Sequence, residues 1–363
     1  MLITLTAAIV MTSAPQELGG VPAALWSHFK TGVNVTRWFC YEGVNAGSAH
    51  WQNYLTDADL ANFKRLKVTF VRLCVSPDLA LKDGKTNAAL LPHLDRAIAK
   101  LDRAGIATLL DLHDNGQLRL DGANPRTAEF KSFWTDMAKR YNGQRLNKLV
   151  FEPVNEPIFR EKPDDWQKLE GEIIAIIRKI DAKRTITATS NSWSGVDSFL
   201  KLKKRPESNL IYTFHCYDPF FFTHQGATWA GNEARAMKNL PFPSSPELVS
   251  PLLPSIEERY RGVAVDYGKG KFDAAYLAKR IGDAAAWGKT NSVPVFLGEF
   301  GAYPPAAPVE SRARWFAAMR AAVARHRMPN ALWGYDDGLG LGRRKEGTGI
   351  WLDPLTLKHF YGL

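Results

Sequence analysis

The sequence predicts an α/β protein whose parallel sheet closes into a barrel, and three observations carry that reading. Short apolar runs alternate along the chain with longer segments of helical pattern, the rhythm of β-then-α units. Two of the runs end in a glutamate, in FEPVNEP (Phe151 to Pro157) and in VFLGEFGAY at Glu299, as expected at the functional rim of a barrel. The length of 363 residues, 45% of them hydrophobic, suits one barrel with loop insertions and requires no second domain.

Taken in order, the first strand is predicted at Gly32 to Phe39, in TGVNVTRWF, followed by a helical pattern at Asp57 to Leu66. FVRLCV, which carries Arg72, precedes a helix at Leu91 to Ala104, and LDLHDNG, which carries His113, precedes one at Arg126 to Tyr141. The apolar stretch Lys148 to Val154 leads to a helix at Asp164 to Ile180, and a fifth strand is expected at Thr185 to Ser190. IYTFHCYDPF supplies His215 and Tyr217, which a strand directs to one side of the sheet together. After the stretch Val293 to Leu297 come a helix at Ser311 to His326 and then ALWGYDDG with Trp333. A further helix is expected at Phe272 to Lys289.

Between the sixth strand and that helix lies one long stretch read as irregular, Phe220 to Gly270, containing PFPSSPELVSPLLP. Loops of this length inside a domain are usually functional or mobile. Rising from the catalytic rim, it would wall the cleft with Phe221, Phe222, His224 and Trp229; the alternative is an insertion packed on the outside.

Paired glutamates at buried strand ends suit sugar chemistry. A glycosidic bond breaks through an oxocarbenium-like transition state, so one carboxyl protonates the leaving oxygen while another meets the anomeric carbon. Glu156 and Glu299 are the candidates, with Asn155 directly before one and Gly298 directly before the other. If they form a retaining pair, their carboxyls should stand about 5–5.5 Å apart, against roughly 6.5–9.5 Å for an inverting pair.

With Arg72, His113, NEP at Asn155 to Pro157, His215, Tyr217, Glu299 and Trp333 in this order, the chain resembles glycoside hydrolase family 5, from about Gly32 to Trp351. The resemblance implies a TIM barrel with the two glutamates on its fourth and seventh strands, and no cofactor or metal. It implies Glu299 as nucleophile, Glu156 as acid/base and Asn155 as the ligand of the sugar 2-hydroxyl. Tyr217 is then the donor to the nucleophile, Arg72 the nearby positive charge, and His215 and His113 orient the surrounding groups. Trp333 offers an aromatic floor for a pyranose, and Trp38, Trp193 and Trp229 are candidates for further subsites. LHDNG lacks the paired histidines of a metal-dependent barrel hydrolase. Asp336 and Asp337 depart from the aromatic endings of many cellulases. The expected function is a retaining endo-β-glucanase acting on a soluble or hydrated β-linked polysaccharide. An endo-β-mannanase, a transglycosylase and a catalytically silent glycan-binding barrel are the alternatives.

The formal charge of +10 can steer the protein towards polyanions. No nucleic-acid signature accompanies it, so an acidic exopolysaccharide is the anionic partner considered, with Arg343 and Arg344 placed to reach its charges. Residues 1–14 read as a signal-peptide h-region with a small-residue TSA site, or as an N-terminal tail. They are too short to cross a bilayer, and a secreted or periplasmic monomer is expected. Cys40, Cys74 and Cys216 cannot all pair and are read as buried free thiols.

Overall fold

Eight parallel strands pair in chain order and close on themselves in the computed structural model, which describes residues 18–345 and 349–363. The segment read as a leader or tail, 1–14, lies outside the described residues. The strands are β1 (Thr31–Phe39), β2 (Phe70–Val75), β3 (Ala107–Leu112), β4 (Leu149–Glu152), β5 (Ile186–Thr189), β6 (Leu210–His215), β7 (Val295–Glu299) and β8 (Asn330–Leu332). Helices at Asp57–Arg65, Leu91–Arg103, Thr127–Arg140, Pro163–Ile180, Ala274–Asn291 and Val309–His326 match the predicted segments to within about a turn.

One side-chain layer closes the amino-terminal end of the barrel. Phe70, Leu109, Val150, Ile211, Phe296 and Ala331 meet there, capped by Val21, Leu25 and Phe29 from the segment before β1. Phe29 stacks on Phe70 with ring centroids 4.6 Å apart. Gly32 is required beside them, because a Cβ at that position would come within 2.4 Å of the Phe70 ring. Two residues further along the same strands the inward positions turn polar, with Asn34, Arg72, Asp111 and Glu152 following Gly32, Phe70, Leu109 and Val150. Register sets these neighbours side by side: Asn34 pairs with Arg72, and Asp111 with Glu152.

Two expectations need correction. The fourth strand ends at Glu152 rather than running on to Val154, because Pro153 has no N–H to continue a ladder. Glu156 therefore stands on the loop beyond the strand, with a left-handed backbone at φ +41°. The stretch 220–270 is not irregular. It is built of short helical turns and a helix at Arg261–Lys269, and Met237, Leu240, Phe242, Val249 and Tyr267 are buried in it. Its apolar prolines and phenylalanines pack it onto the barrel, while only its first turns reach the cleft.

Candidate active site

At the carboxyl ends of the strands, Arg72 forms the centre of a buried network. It faces three carboxylates, Glu152 (Nε–Oε2, 2.8 Å), Glu299 (Nη1–Oε1, 2.6 Å) and Asp111 (Nη2–Oδ2, 3.1 Å). It also donates to Asn34 Oδ1 at 3.0 Å and to Asn155 Oδ1 at 2.9 Å. A single guanidinium against three carboxylates leaves an excess of negative charge, and burial pushes the Asp111 carboxyl up to about 6, with Arg72 pulling the other way. Asp111 in turn holds His113, whose Nδ1 lies 2.8 Å from Asp111 Oδ2. Burial lowers His113 to about 3, so the ring is neutral, and it stacks on Trp333 at 5.1 Å.

Glu299 ends β7 and Glu156 faces it across the barrel mouth. The Glu299 carboxyl accepts from Tyr217 Oη at 2.9 Å as well as from Arg72. His215 bridges the two glutamates, with Nδ1 at 2.8 Å from Glu156 Oε1 and 3.5 Å from Glu299 Oε2. One oxygen of each carboxyl and a ring nitrogen of His215 all lie within 4.8 Å of one another, in keeping with the close spacing of a retaining pair. Gly298 makes room for the histidine, since a Cβ there would press on Thr213 Oγ1 at 2.5 Å and on the His215 ring at 3.1 Å.

The two carboxyls differ in what opposes burial. Burial raises Glu156 to about 8, and Arg72 offsets it only in part. Burial also raises Glu299, opposed by the Arg72 guanidinium bonded directly to it. His215 is itself lowered to about 4 by burial and is neutral beside Glu156. The arrangement keeps a proton on Glu156 at neutral pH and gives Glu299, but not Glu156, a direct bond to the Arg72 guanidinium.

A cavity of about 780 Å³ opens above the pair, walled by Tyr41, Asn155, Trp193, Phe220, His224, Trp229 and Trp333. It runs into a second of about 1120 Å³ through Tyr41, Asn115, Trp229, Trp333 and Leu339, which line both. All eight sequence-predicted residues are thus gathered at one end of the barrel: Arg72 below, the others around the cavity. Trp193 and Trp229 are exposed on the walls, at 51% and 57%. Trp38 is not a subsite candidate, being buried against Phe39 and Tyr54 with its indole N–H given to the Trp51 carbonyl. Phe222 likewise belongs to the core.

Arg344 also departs from expectation. Its guanidinium is bonded to Asp336 at 3.0 Å, lies 3.5 Å from Asp59 and covers the Tyr54 ring, so its charge is already matched. Asp336 serves this structural contact and accepts from Tyr54 Oη at 2.5 Å. Asp337 accepts from Thr36 and from the Leu339 amide at the edge of the second cavity. Three carboxylates besides the protonated Glu156, and one arginine, line the first cavity, and four acidic residues and three arginines the second, so the net positive charge of the chain is not focused on the cleft.

Sequence reading passed over Asn34, Tyr41, Asp111 and Glu152. The signal for three of them was present: a polar or charged residue inside an otherwise apolar strand is costly unless paired, as Asn34 is in GVNV, Asp111 in LLDL and Glu152 in LVFE. Tyr41 lies just beyond β1 with a left-handed backbone, and nothing in its sequence neighbourhood marks it. Glu156, His215 and Glu299, and separately Cys74, Asp111 and His113, have the donor types and spacing that could hold a metal ion. Their atoms are already engaged with one another and with Arg72.

A closed (β/α)8 barrel with two near carboxyls at its carboxyl rim has the geometry of an O-glycosyl hydrolase. The chain belongs to glycosyl hydrolase family 5: the family model Cellulase matches residues 31–337. Among curated proteins it is similar to Endoglucanase C of Acetivibrio thermocellus, 24% identical over 322 residues that cover 85% of this chain and 91% of the relative. Among solved structures it is similar to endoglucanase Cel5A of Thermotoga maritima, with a TM-score of 0.73 and 23% identity over 92% of this chain and 97% of that one. Other structures of that protein are complexes with cellobiose and with mannotriose. The Clostridial cellulose synthase subunit Z from Clostridioides difficile is similar too, with a TM-score of 0.71 and 23% identity over 92% and 99% of the two chains.

Proposed function

We propose that this hydrolase cleaves internal bonds of a neutral β-glucan with retention of configuration, Glu299 acting as nucleophile and Glu156 as acid/base. The observation that carries the reading is the closeness of the two carboxyls in opposite settings, one bonded to Arg72 and Tyr217, the other to a neutral histidine. Glu299 attacks the anomeric carbon while Glu156 gives its proton to the leaving oxygen. Glu156, then ionised, takes a proton from water as it attacks the glycosyl-enzyme. Asn155, one residue before Glu156 and lining the cavity, meets the sugar 2-hydroxyl. Trp333 and Tyr41 floor the joined cavities, and Trp193 and Trp229 offer faces to sugar rings further along.

A cavity at the glutamates that runs on into a second favours an internal segment of chain over a chain end. The surplus of carboxylates along them favours a neutral glycan over the acidic exopolysaccharide that net charge suggested. Mannan is the second reading, prompted by the mannotriose complex of Thermotoga maritima Cel5A. The test is a panel of β-1,4-, β-1,3- and mixed-linkage glucans, mannan and an acidic exopolysaccharide, with the anomer of the first product followed by NMR. Rapid loss of viscosity on a β-glucan with the β-anomer appearing first is expected. An α-anomer first would exclude retention, and preference for the acidic glycan that salt abolishes would exclude the neutral reading.

A further inference from the structure

Arg72 carries five N–H groups in one rigid plane, and the structure gives each a separate acceptor. Nε and Nη2 grip Glu152 at 2.8 and 2.9 Å, along one edge of the guanidinium. The second N–H of Nη2 goes to Asn155 Oδ1 at 2.9 Å, and the two of Nη1 go to Asn34 Oδ1 at 3.0 Å and Glu299 Oε1 at 2.6 Å. We propose that Glu152 is a positioning residue: its two-point grip on Arg72, braced by Asn34, makes one guanidinium aim both the Glu299 carboxylate and the Asn155 amide at the same sugar.

The two-point contact carries this assignment. A single contact would let the guanidinium rotate about the bond, whereas parallel bonds to both Glu152 oxygens fix its plane and its direction. With that edge fixed, the remaining N–H groups point where Glu299 and Asn155 stand. Arg72 only donates, so the Asn155 atom facing it is the carbonyl oxygen, and the Asn155 NH₂ is left for the cleft. That NH₂ can donate to a sugar hydroxyl. Asp111 does not share the role: it lies 3.1 Å from Nη2, but all five N–H groups have other acceptors, and its hydrogen bond goes to His113. It contributes charge rather than direction. Glu152, Arg72 and Asn34 are fully buried, so no solvent competes with the grip.

This inference rests on the roles proposed for Glu299 and Asn155, and the experiment separates the two. Glu152→Gln, Glu152→Asp, Asn34→Ala, Asn155→Ala and Glu299→Gln are compared with the parent on an aryl β-cellobioside and on its analogue lacking the 2-hydroxyl of the reacting sugar. Glu152→Gln puts an NH₂ against an arginine N–H, so the grip opens on one side. Its kcat is expected to fall about 10²-fold, the scale of a misplaced reacting group, with KM changed less than about threefold. The preference for the 2-hydroxy over the 2-deoxy substrate should shrink towards that of Asn155→Ala, which a loss of folded protein alone would not cause. Glu152→Asp should recover part of kcat. If Glu152→Gln fails to fold, Asn34→Ala reads the same coupling, with about a tenfold loss of kcat and the same loss of preference. Unchanged kcat in the folded variants, or lost kcat with the preference intact, would overturn the inference. Turnover retained by Glu299→Gln would instead overturn the nucleophile assignment on which it stands.

Discussion

The two ends of this barrel are made by the same strands two residues apart, and they do opposite work. At the amino-terminal end Phe70, Leu109, Val150 and Ile211 close a dry layer under Phe29. At the carboxyl end Arg72, Asp111, Glu152 and, four residues on from Ile211, His215 face one another as charges and polar groups. The lower layer gains from burial alone and has no use for direction. The upper one bears the cost of desolvation and depends on direction, because each buried charge needs its partner at bonding distance. The difference teaches where to look for each kind of defect: stability should fail from below and chemistry from above.

The sharpest way to break that contrast is Glu299→Gln. It should lower turnover of an activated aryl β-glycoside by about 10⁴-fold or more while circular dichroism and the unfolding midpoint stay those of a folded barrel. A variant that loses its fold instead would show the upper layer to be structural. Glu156→Ala should slow hydrolysis of an unactivated glycoside by about 10²–10⁴-fold, and with an activated leaving group it should accumulate glycosyl-enzyme, visible as a burst and relieved by azide. The same residue should set a pH limb. As the proposed acid, Glu156 serves only while it holds its proton, so with its carboxyl raised to about 8, kcat/KM on an unactivated substrate should fall as pH rises through that value. Glu156→Ala should lack this limb on the activated substrate.

Below the site the expected effects reverse. Phe70→Ala empties the space between Phe29, Phe296 and Gly32 and should cost about 3–5 kcal/mol in urea unfolding. Activity per folded molecule should remain within about twofold of the parent, a ratio that a large fall in kcat at low temperature would contradict. The smallest effect is expected at the rim. Trp193→Ala, removing a half-exposed ring on the cavity wall, should raise KM for a long glucan by about tenfold or less and leave kcat on a short aryl glycoside unchanged.

Much of this was legible from pattern. The β-then-α rhythm located the strands and helices because each period reports which side of an element meets the core, and the order of Arg72, His113, NEP, His215, Tyr217, Glu299 and Trp333 marked the family. Pattern failed where an element stops for a local reason or packs for a distant one. Pro153 ended β4 and moved Glu156 onto a loop with a left-handed backbone. The stretch 220–270 looked irregular because its turns are too short for a period to show, yet its apolar side chains found a surface on the barrel.

The sequence by itself determined the barrel, its family and the residue types of the site, since these depend on periodicity and on side chains that chemistry requires. Only the tertiary structure decided which charges answer one another. Asn34, Arg72, Asp111, Glu152 and Glu299 come from five different strands, and their contacts exist because closing the sheet brings the strands round to a common axis. Closure likewise gave the Arg344 charge to Asp336 and Asp59 at the wall of the second cavity, where it had been expected to serve an anionic glycan. Charge along a sequence adds up without regard to place, whereas charge in a folded protein acts over a few ångströms.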